Sequence, residues 1–275
     1  MDRIISEPFK EESLNSLTSD EIKQYLTASV MGKKIVHVET VDSTNTYAKS
    51  IALTEQEGTL ITCENQTSGR GRLGRQWESK SKGICMSIIL KPCINLAEVS
   101  KITQVCAAAV SLSLEELGID AEIKWPNDLM INNKKICGIL TEMESLNSEV
   151  NYVVAGIGIN VNNSSSDFTD VIKNTATSLK IETGKNFKRS LIVAKILNNF
   201  EILYYEFVKN NNYNDSLDIC RKKSNVIGKN INLIKNGNSI SAKAVDIGKD
   251  GELIVQYENG EIGTVISGEI SVRTV

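Results

Sequence analysis

Two hydrophobic patterns organise most of this 275-residue chain. Short apolar segments between polar turns predict buried strands, and longer segments with apolar residues at helical spacing predict helices. The predicted strands cover residues 34–41, 59–63, 83–91, 121–125, 129–131, 135–144 and 152–161. The main predicted helices follow Ser43 as far as Ile51 and cover residues 96–117 and 187–208. Because hairpins are mixed with long helices, we expect an α+β fold with a mixed, largely antiparallel sheet and helices on one side.

The first 32 residues predict a short helical extension. Thr18-Ser19-Asp20-Glu21 has the form of a capping box, and Ile22, Tyr25 and Leu26 follow at helical spacing. One helix is too little for an independent domain, and its mixed charge differs from that of a basic helix-turn-helix. The segment therefore predicts no DNA-binding domain and no DNA partner.

The pattern changes near Asn225. Short alternating strands are predicted at residues 231–234, 240–247, 253–257 and 261–266, and turn signals such as Asn236-Gly237 and Asn259-Gly260 lie between them. These strands predict a small β-barrel domain at residues 225–275. Residues 33–224 are left as the main domain.

Composition excludes several classes of protein. The formal net charge of −3 argues against bulk electrostatic binding to DNA or a membrane. The six cysteines form no C-x-x-C pair and His37 is the single histidine, so a disulfide framework or a Cys/His metal site is not expected. No apolar run approaches the ~18 residues of a spanning helix, and no signal peptide is recognisable. We expect a cytoplasmic protein without a membrane partner.

The segment from Ser68 to Trp77 interleaves three glycines with three arginines and ends on an indole. Glycine destabilises helices and strands, and each guanidinium has to be solvated or paired. The segment therefore predicts a mobile loop that binds an anion, such as a phosphate or a carboxylate, and becomes ordered around it.

Three further polar clusters occur in the main domain. They are Ser43-Thr44-Asn45, the segment Lys124-Trp125-Pro126-Asn127-Asp128, and Lys135-Ile136-Cys137-Gly138 with the later strand Gly156 to Asn160. Each alone has an ordinary explanation, because Ser-Thr-Asn is most often a helix cap and glycines in strands permit close packing. Trp125 could be a core residue, Asp128 could only stabilise a turn, and His37 is more typical of a structural residue.

Taken together and in order, these motifs resemble those of the biotin protein ligases, with G-R-G-R-x-G-R-x-W, then K-W-P-N-D, K-x-x-G-I-L-x-E and G-x-G-I-N. The resemblance covers about residues 33–275, because the C-terminal strands also look like the small SH3-like domain of the family. It implies a catalytic domain similar to class II aminoacyl-tRNA synthetases. The short N-terminal segment indicates the monofunctional type, which lacks a DNA-binding domain.

The resemblance also implies a two-step reaction and its residues. Biotin and Mg²⁺-ATP would give biotinyl-5′-AMP, and a lysine of a biotin carboxyl carrier protein, such as that of acetyl-CoA carboxylase, would then accept biotin. Lys135 and Arg72 would be the catalytic pair, since fixed cations offset the repulsion between a carboxylate and a phosphate. Biotin would contact Ser43, Thr44, Asn45, Gln66, Arg70, Gly71, Arg72, Lys135, Gly138, Gly156 and Gly158. ATP would contact Arg72, Arg75, Trp77, Lys124, Asn127, Asp128, Lys135 and Asn160, with Trp77 stacked on adenine.

Other functions stay open at this point. A lipoate–protein ligase shares the fold class and the adenylate chemistry, although the polar Ser43-Thr44-Asn45 cluster and Gln66 favour the ureido ring of biotin over an apolar dithiolane. A DNA-binding regulator would need a domain that residues 1–32 do not predict. A binding module without activity would not need the phosphate-directed cations. Pairing of two chains through the main sheet is possible.

Overall fold

The computed structural model describes residues 16–78, 81–235, 238–266 and 269–272. Its helices are α1 (Ser19–Lys23), α2 (Thr44–Ile51), α3 (Lys101–Glu115), α4 (Leu179–Thr183), α5 (Arg189–Asn210) and α6 (Asn214–Lys222). The strands of the main domain are β1 (Ile35–Val41), β2 (Leu60–Gln66), β3 (Ile84–Leu90), β4 (Glu122–Lys124), β5 (Asp128–Ile131), β6 (Lys134–Leu146) and β7 (Glu149–Ile159). Those of the C-terminal part are β8 (Asn230–Lys235), β9 (Asn238–Ile247), β10 (Leu253–Tyr257), β11 (Ile262–Val265) and β12 (Glu269–Val272).

The seven strands of the main domain form one sheet in the order β1-β2-β3-β7-β6-β5-β4. Only β1 and β2 pair in parallel, and the other neighbours pair antiparallel. This confirms the predicted mixed, largely antiparallel sheet. Asn132 and Asn133 both have positive φ in the turn between β5 and β6, as a tight hairpin turn requires.

The prediction that helices cover one side of the sheet was wrong. Leu60 and Ile88 pack in the main core with α3 and α5, whereas Ile61 and Ile89 pack in a second cluster with Ala48 of α2. Neighbouring residues of a strand point to opposite faces, so α2 covers the face opposite to α3 and α5. The reason is visible in β3, which is buried along its whole length and needs a cover on both faces.

Three features of the helices also differ from the prediction. The long segment predicted as one helix from residue 96 begins with a 3₁₀ turn at Leu96–Glu98, and α3 starts only at Lys101. Helix α6 was not predicted, because its sequence is mainly polar and its buried apolar residues are few. Thr18 precedes α1 but makes no side-chain capping bond, so the predicted capping box does not form.

The C-terminal strands form a five-stranded antiparallel sheet in the order β11-β10-β9-β8-β12, which fits the predicted small SH3-like domain. The predicted turn at residues 236–237 lies outside the described residues, as do residues 1–15 of the predicted extension. The buried residues of the C-terminal sheet belong to the same hydrophobic core as those of the main domain. The two parts are also joined by hydrogen bonds, because the carbonyl of Gly251 accepts from Trp125 Nε1 at 2.9 Å and from Gln104 Nε2 at 2.6 Å.

Among the described residues, no helix is both long and apolar enough to cross a membrane. The six cysteines are free thiols, and all but Cys93 are buried. Burial raises the pKa of the Cys106 and Cys220 thiols, so these side chains stay neutral and act as small apolar core residues.

Candidate active site

One pocket collects most of the predicted site residues, on the face of the sheet that α2 covers. The predicted residues that line it are Ser43, Thr44, Asn45, Gln66, Arg70, Gly71, Arg72, Trp77, Asn127, Lys135, Gly138, Gly156 and Gly158. Two adjoining hollows share Arg75, Trp77, Lys124, Asp128 and Lys135, and one of them also contains Asn160. Apolar residues that were not predicted complete the first pocket, namely Met86, Ile139, Leu140 and Ile157 with Cys85.

The start of α2 is tied to the neighbouring strands by side chains at the pocket floor. Gln66 Oε1 accepts from the Thr44 backbone N–H at 2.8 Å and lies 3.2 Å from Thr44 Oγ1. Ser87 Oγ lies 2.8 Å from Thr44 Oγ1 and 2.7 Å from Asn45 Oδ1. Ser43 is the N-cap residue by position, but its side chain makes no capping bond. The hydroxyls of this cluster therefore serve the pocket more than the helix.

Ser87 was missed in the sequence, although it stands as a single serine inside the apolar strand Ile84–Leu90. A hydroxyl in the middle of a buried strand needs a partner, because an unsatisfied buried polar group is costly. That isolated polar residue is the signal that could have identified it.

Asn45 is held in place by hydrogen bonds, and its position explains why residue 156 is a glycine. Its Nδ2 donates to the Leu140 carbonyl at 3.1 Å and to Glu142 Oε2 at 3.0 Å. A Cβ atom added at Gly156 would lie well inside contact distance of Asn45 Oδ1. Glycine is required there because the amide approaches the backbone of β7 closely.

The glycine and arginine loop folds back on itself over the pocket. The Gly71 N–H donates to the Arg75 carbonyl at 2.8 Å, and the Trp77 N–H donates to the Gly69 carbonyl at 2.9 Å. Two arginines attach the loop to the main domain: Arg70 Nη1 lies 3.3 Å from Glu142 Oε1, and Arg72 Nη1 donates to Asn127 Oδ1 at 2.9 Å. Both guanidinium groups are thereby placed at the rim of the pocket.

Lys135 and Trp77 meet above the central glycines. Lys135 Nζ lies 2.6 Å from Asp128 Oδ1 and 5.7 Å from the centre of the Trp77 ring. A Cβ added at Gly158 would lie 2.5 Å from the indole, and one added at Gly138 would lie 3.1 Å from Lys135 Nζ and from the indole. The two glycines therefore make room for Trp77 and Lys135, which cover this part of the sheet.

Three residues near the pocket have structural partners. Trp125 is buried and donates to the Gly251 carbonyl. It is therefore a core residue, which is one of the two alternatives that the sequence left open. Asn160 is also buried, and its Nδ2 donates to the Thr177 carbonyl at 3.0 Å, which attaches the following loop. His37 lies outside the pocket, with its Nδ1 3.0 Å from Thr62 Oγ1.

Two carboxylates lie beside the pocket: Asp128 lines the adjoining cavities, and Glu142 contacts the lining residues Asn45 and Arg70. Burial alone would raise the pKa of Glu142, but hydrogen bonds from Lys49 and Asn45 and the charges of Lys49 and Arg70 lower it. The carboxylate is therefore ionised, and Lys49 Nζ lies 2.7 Å from its Oε1. The arrangement offers a neutral ligand polar groups at the α2 end, and it offers an anion Arg72 and Lys135 at the other.

Comparison with protein families places the chain in a class. Residues 37–160 match the family described as Biotin/lipoate A/B protein ligase family. Residues 226–273 match the one described as Biotin protein ligase C terminal domain. The two matches place the chain in the biotin and lipoate ligase class.

Individual relatives narrow this class. The chain is 36% identical over 271 residues to the bifunctional ligase/repressor BirA of Bacillus spizizenii, covering 98% of this chain and 81% of the relative. It is 25% identical to the biotin–[acetyl-CoA-carboxylase] ligase of Mycobacterium tuberculosis, covering 81% and 82% of the two chains. The structure of biotin protein ligase from Aquifex aeolicus in complex with biotin and ATP has a TM-score of 0.77 and 31% identity, covering 88% of this chain and all of that one. The chain belongs to the biotin protein ligase family.

Proposed function

We propose that the chain uses ATP to activate biotin as biotinyl-5′-AMP and transfers biotin to a lysine of a biotin carboxyl carrier protein. In the first step, a carboxylate oxygen of biotin attacks the α-phosphorus of ATP, and the bond to the β-phosphate oxygen breaks to release pyrophosphate. In the second, the lysine amine attacks the acyl carbon, AMP leaves, and the amine proton passes to solvent. Similarity to a ligase solved with biotin and ATP supports this assignment.

The observation that carries the proposal is the pocket with two unlike ends. Thr44, Asn45 and Gln66 supply hydroxyl and amide groups at the end where the neutral ureido ring would lie. Because Gly156 has no side chain, the Asn45 amide can lie against β7 at that end of the pocket. A binding module without activity would not need the cations at the opposite end.

Lys135 and Arg72 are the proposed catalytic pair. Both line the pocket and also the adjoining hollow with Lys124 and Asp128. Lys135 would lie between the biotin carboxylate and the α-phosphate, where it holds the two anions together and stabilises the charge that develops between them. Arg72 would do the same from the loop, with Arg75 and Lys124 on the remaining phosphates.

Mg²⁺ is proposed as part of the substrate, bound to ATP. Among the described residues, no group of three or more His, Cys, Asp or Glu side chains could hold a metal ion. Mg²⁺ usually binds one or two carboxylates together with substrate phosphates. Asp128 is the pocket carboxylate placed to contribute, and the ion would neutralise phosphate charge.

The test is to mix the protein with biotin, Mg²⁺-ATP and a biotin carboxyl carrier domain, and to measure the intact mass of that domain. We expect one biotin per carrier domain and release of pyrophosphate that depends on biotin. A carrier domain whose acceptor lysine is replaced by arginine is the control and should stay unmodified. Equal or greater turnover with lipoate and its carrier would overturn the biotin assignment, and absence of adenylate and transfer would overturn ligase activity.

Three further parts of the proposal concern the setting of the enzyme. Free cysteines support a reducing compartment such as the cytoplasm. Pairing of two chains through the main sheet stays a prediction, which light scattering would test. Absence of DNA binding also stays a prediction, and a sequence-specific mobility shift by the purified protein would contradict it.

A further inference from the structure

Glu142 stands at the end of the motif that begins at Lys135, and its carboxylate holds two polar groups of α2. Lys49 Nζ lies 2.7 Å from Oε1, and Asn45 Nδ2 donates to Oε2 at 3.0 Å. The Glu142 side chain is only 19% exposed. Both of its oxygens are therefore occupied from the α2 side, and the carboxylate cannot turn freely into solvent.

The same carboxylate reaches the loop above the pocket. Arg70 Nη1 lies 3.3 Å from Glu142 Oε1, although about half of the Arg70 side chain, 48%, is exposed. An ion pair between two exposed side chains contributes little, because both ends move and water screens them. Here one end is fixed, so Arg70 meets an anion that is already in place.

The contact between Arg70 and Glu142 affects the loop residues that follow Arg70. Gly71 and Arg72 follow directly and line the pocket. Holding Arg70 restricts the backbone that comes next, and a restricted loop loses less entropy when it closes on a ligand. Asn45, on the other side of Glu142, lies at the pocket floor.

We propose that Glu142 is a positioning residue for biotin: it connects Arg70 of the loop to Lys49 and Asn45 of α2 and so determines how long biotin and biotinyl-5′-AMP stay bound. This inference rests on the proposed function. Glu142 acts through Arg70 and Asn45 and does not take part in the chemical steps. The competing explanation is that Glu142 only neutralises Lys49 and supports the fold.

The experiment measures release of labelled biotinyl-5′-AMP, formed in place from biotin and Mg²⁺-ATP and chased with unlabelled adenylate. Glu142→Gln keeps the shape and removes the charge, and we expect release about tenfold faster, the lower range of a charge-assisted hydrogen bond. The matched control is Glu144→Gln. Glu144 lies two residues further along β6 and accepts from the Tyr152 hydroxyl at 3.1 Å, whereas Glu142 contacts the pocket residues Asn45 and Arg70. The release rate of Glu144→Gln should stay within about twofold of wild type, because a surface substitution changes little.

A double-mutant cycle separates the two explanations. If Glu142 acts through Arg70, Glu142→Gln should add little to the release rate in an Arg70→Ala background. The same acceleration in both backgrounds, or none in the single variant, would overturn the proposal. The melting curve without ligand shows whether Glu142→Gln folds. If it does not, Glu142→Asp tests the proposal instead. This variant keeps the charge but moves it away from Arg70, so it should also speed release. A wild-type protein that forms no adenylate would instead refute the proposed function.

Discussion

At the α2 end of the pocket the polar side chains bond to one another and are buried, whereas at the end with Lys135 charged side chains stand in pairs and reach solvent. Thr44 and Asn45 are each 4% exposed and Ser87 is fully buried. Lys135 and Asp128 are 33% and 21% exposed. The first end is a hydrogen-bonded network that Asn45 joins to the ion pairs of Glu142, and the second is the partly exposed ion pair of Lys135 and Asp128.

This difference matches what each end would bind. A neutral ring gains affinity from donors and acceptors that are already oriented, since little further ordering is needed. A phosphate instead competes for cations, so we expect a bound phosphate to displace Asp128 from Lys135. The α2 end therefore depends on oriented hydrogen bonds that Glu142 supports, and the other end on charge that a ligand can compete for.

The largest effect is expected at the charged end, from Lys135→Ala. Loss of one charge-assisted hydrogen bond of about 1.5–3 kcal/mol should slow adenylate formation by roughly one to two decades. Biotin-dependent release of pyrophosphate measures it. Lys134→Ala is the control, because Lys134 is the preceding, exposed residue and lies outside the pockets described. Near-normal adenylate formation by Lys135→Ala would remove this residue from the mechanism.

Substitutions of Gly156 and Gly158 in β7 test the difference between the two ends of the pocket. Alanine at Gly156 would collide with the fixed Asn45 amide, and overpacking of this kind costs about 1–3 kcal/mol. We expect biotin affinity to fall by about tenfold or more while the KM for ATP changes little. Alanine at Gly158 would meet the Trp77 ring, so its main effect should fall on ATP. Calorimetry measures the affinity for biotin, and steady-state titration measures the KM for ATP. If both variants changed the two quantities in the same way, the two ends would not differ as described.

Loop closure should be visible by proteolysis. Arg70, Arg72 and Arg75 are trypsin sites in a loop that we expect to become ordered around biotin. Saturating biotin should slow cleavage at these sites severalfold, while cleavage at distant exposed lysines continues at its former rate. Mass spectrometry of the fragments identifies the sites. Equal cleavage with and without biotin would contradict the ordering.

A smaller effect is expected in the loop beside the charged end. Ser164 and Asp167 form a capping box there, and Lys82 Nζ lies 3.1 Å from Asp167. Burial would raise the pKa of Asp167, but the bonds from Ser164 and Lys82 outweigh it and lower the pKa to about 2. Because the folded-state pKa is depressed, its contribution is present above about pH 4 and is lost as the pH falls towards 2.

Asp167→Asn should therefore lower the free energy of unfolding at pH 7 by about 1 kcal/mol, the usual value of a helix cap. The difference from wild type should shrink below pH 4. Urea unfolding between pH 3 and pH 7 measures it, and a difference that does not depend on pH would rule out titration of Asp167 as the cause.

The sequence predicted the strands and the linear motifs better than the contacts between them. Lys135, Arg72 and the glycines were predicted as site residues because each belongs to a short pattern whose chemistry can be read locally, and the structure brings them to one pocket. Ser87 and the role of Glu142 could not be read that way, because their partners lie on other elements, and the packing of α2 on the sheet brings Ser87 to Asn45. The position of α2 was missed for the same reason, since covering a second face is a property of the whole sheet.

The shared carbonyl of Gly251 limits how this protein can be divided. A chain cut before the small sheet would leave the Trp125 indole and the Gln104 amide, both buried, without their acceptor. It would also expose core residues that now pack against Ile231, Leu253 and Val255. Trp125 directly precedes Pro126, Asn127 and Asp128, so the damage would begin at the edge of the cavity that contains Lys135. Truncation and domain-exchange experiments should therefore treat the two sheets as one folding unit.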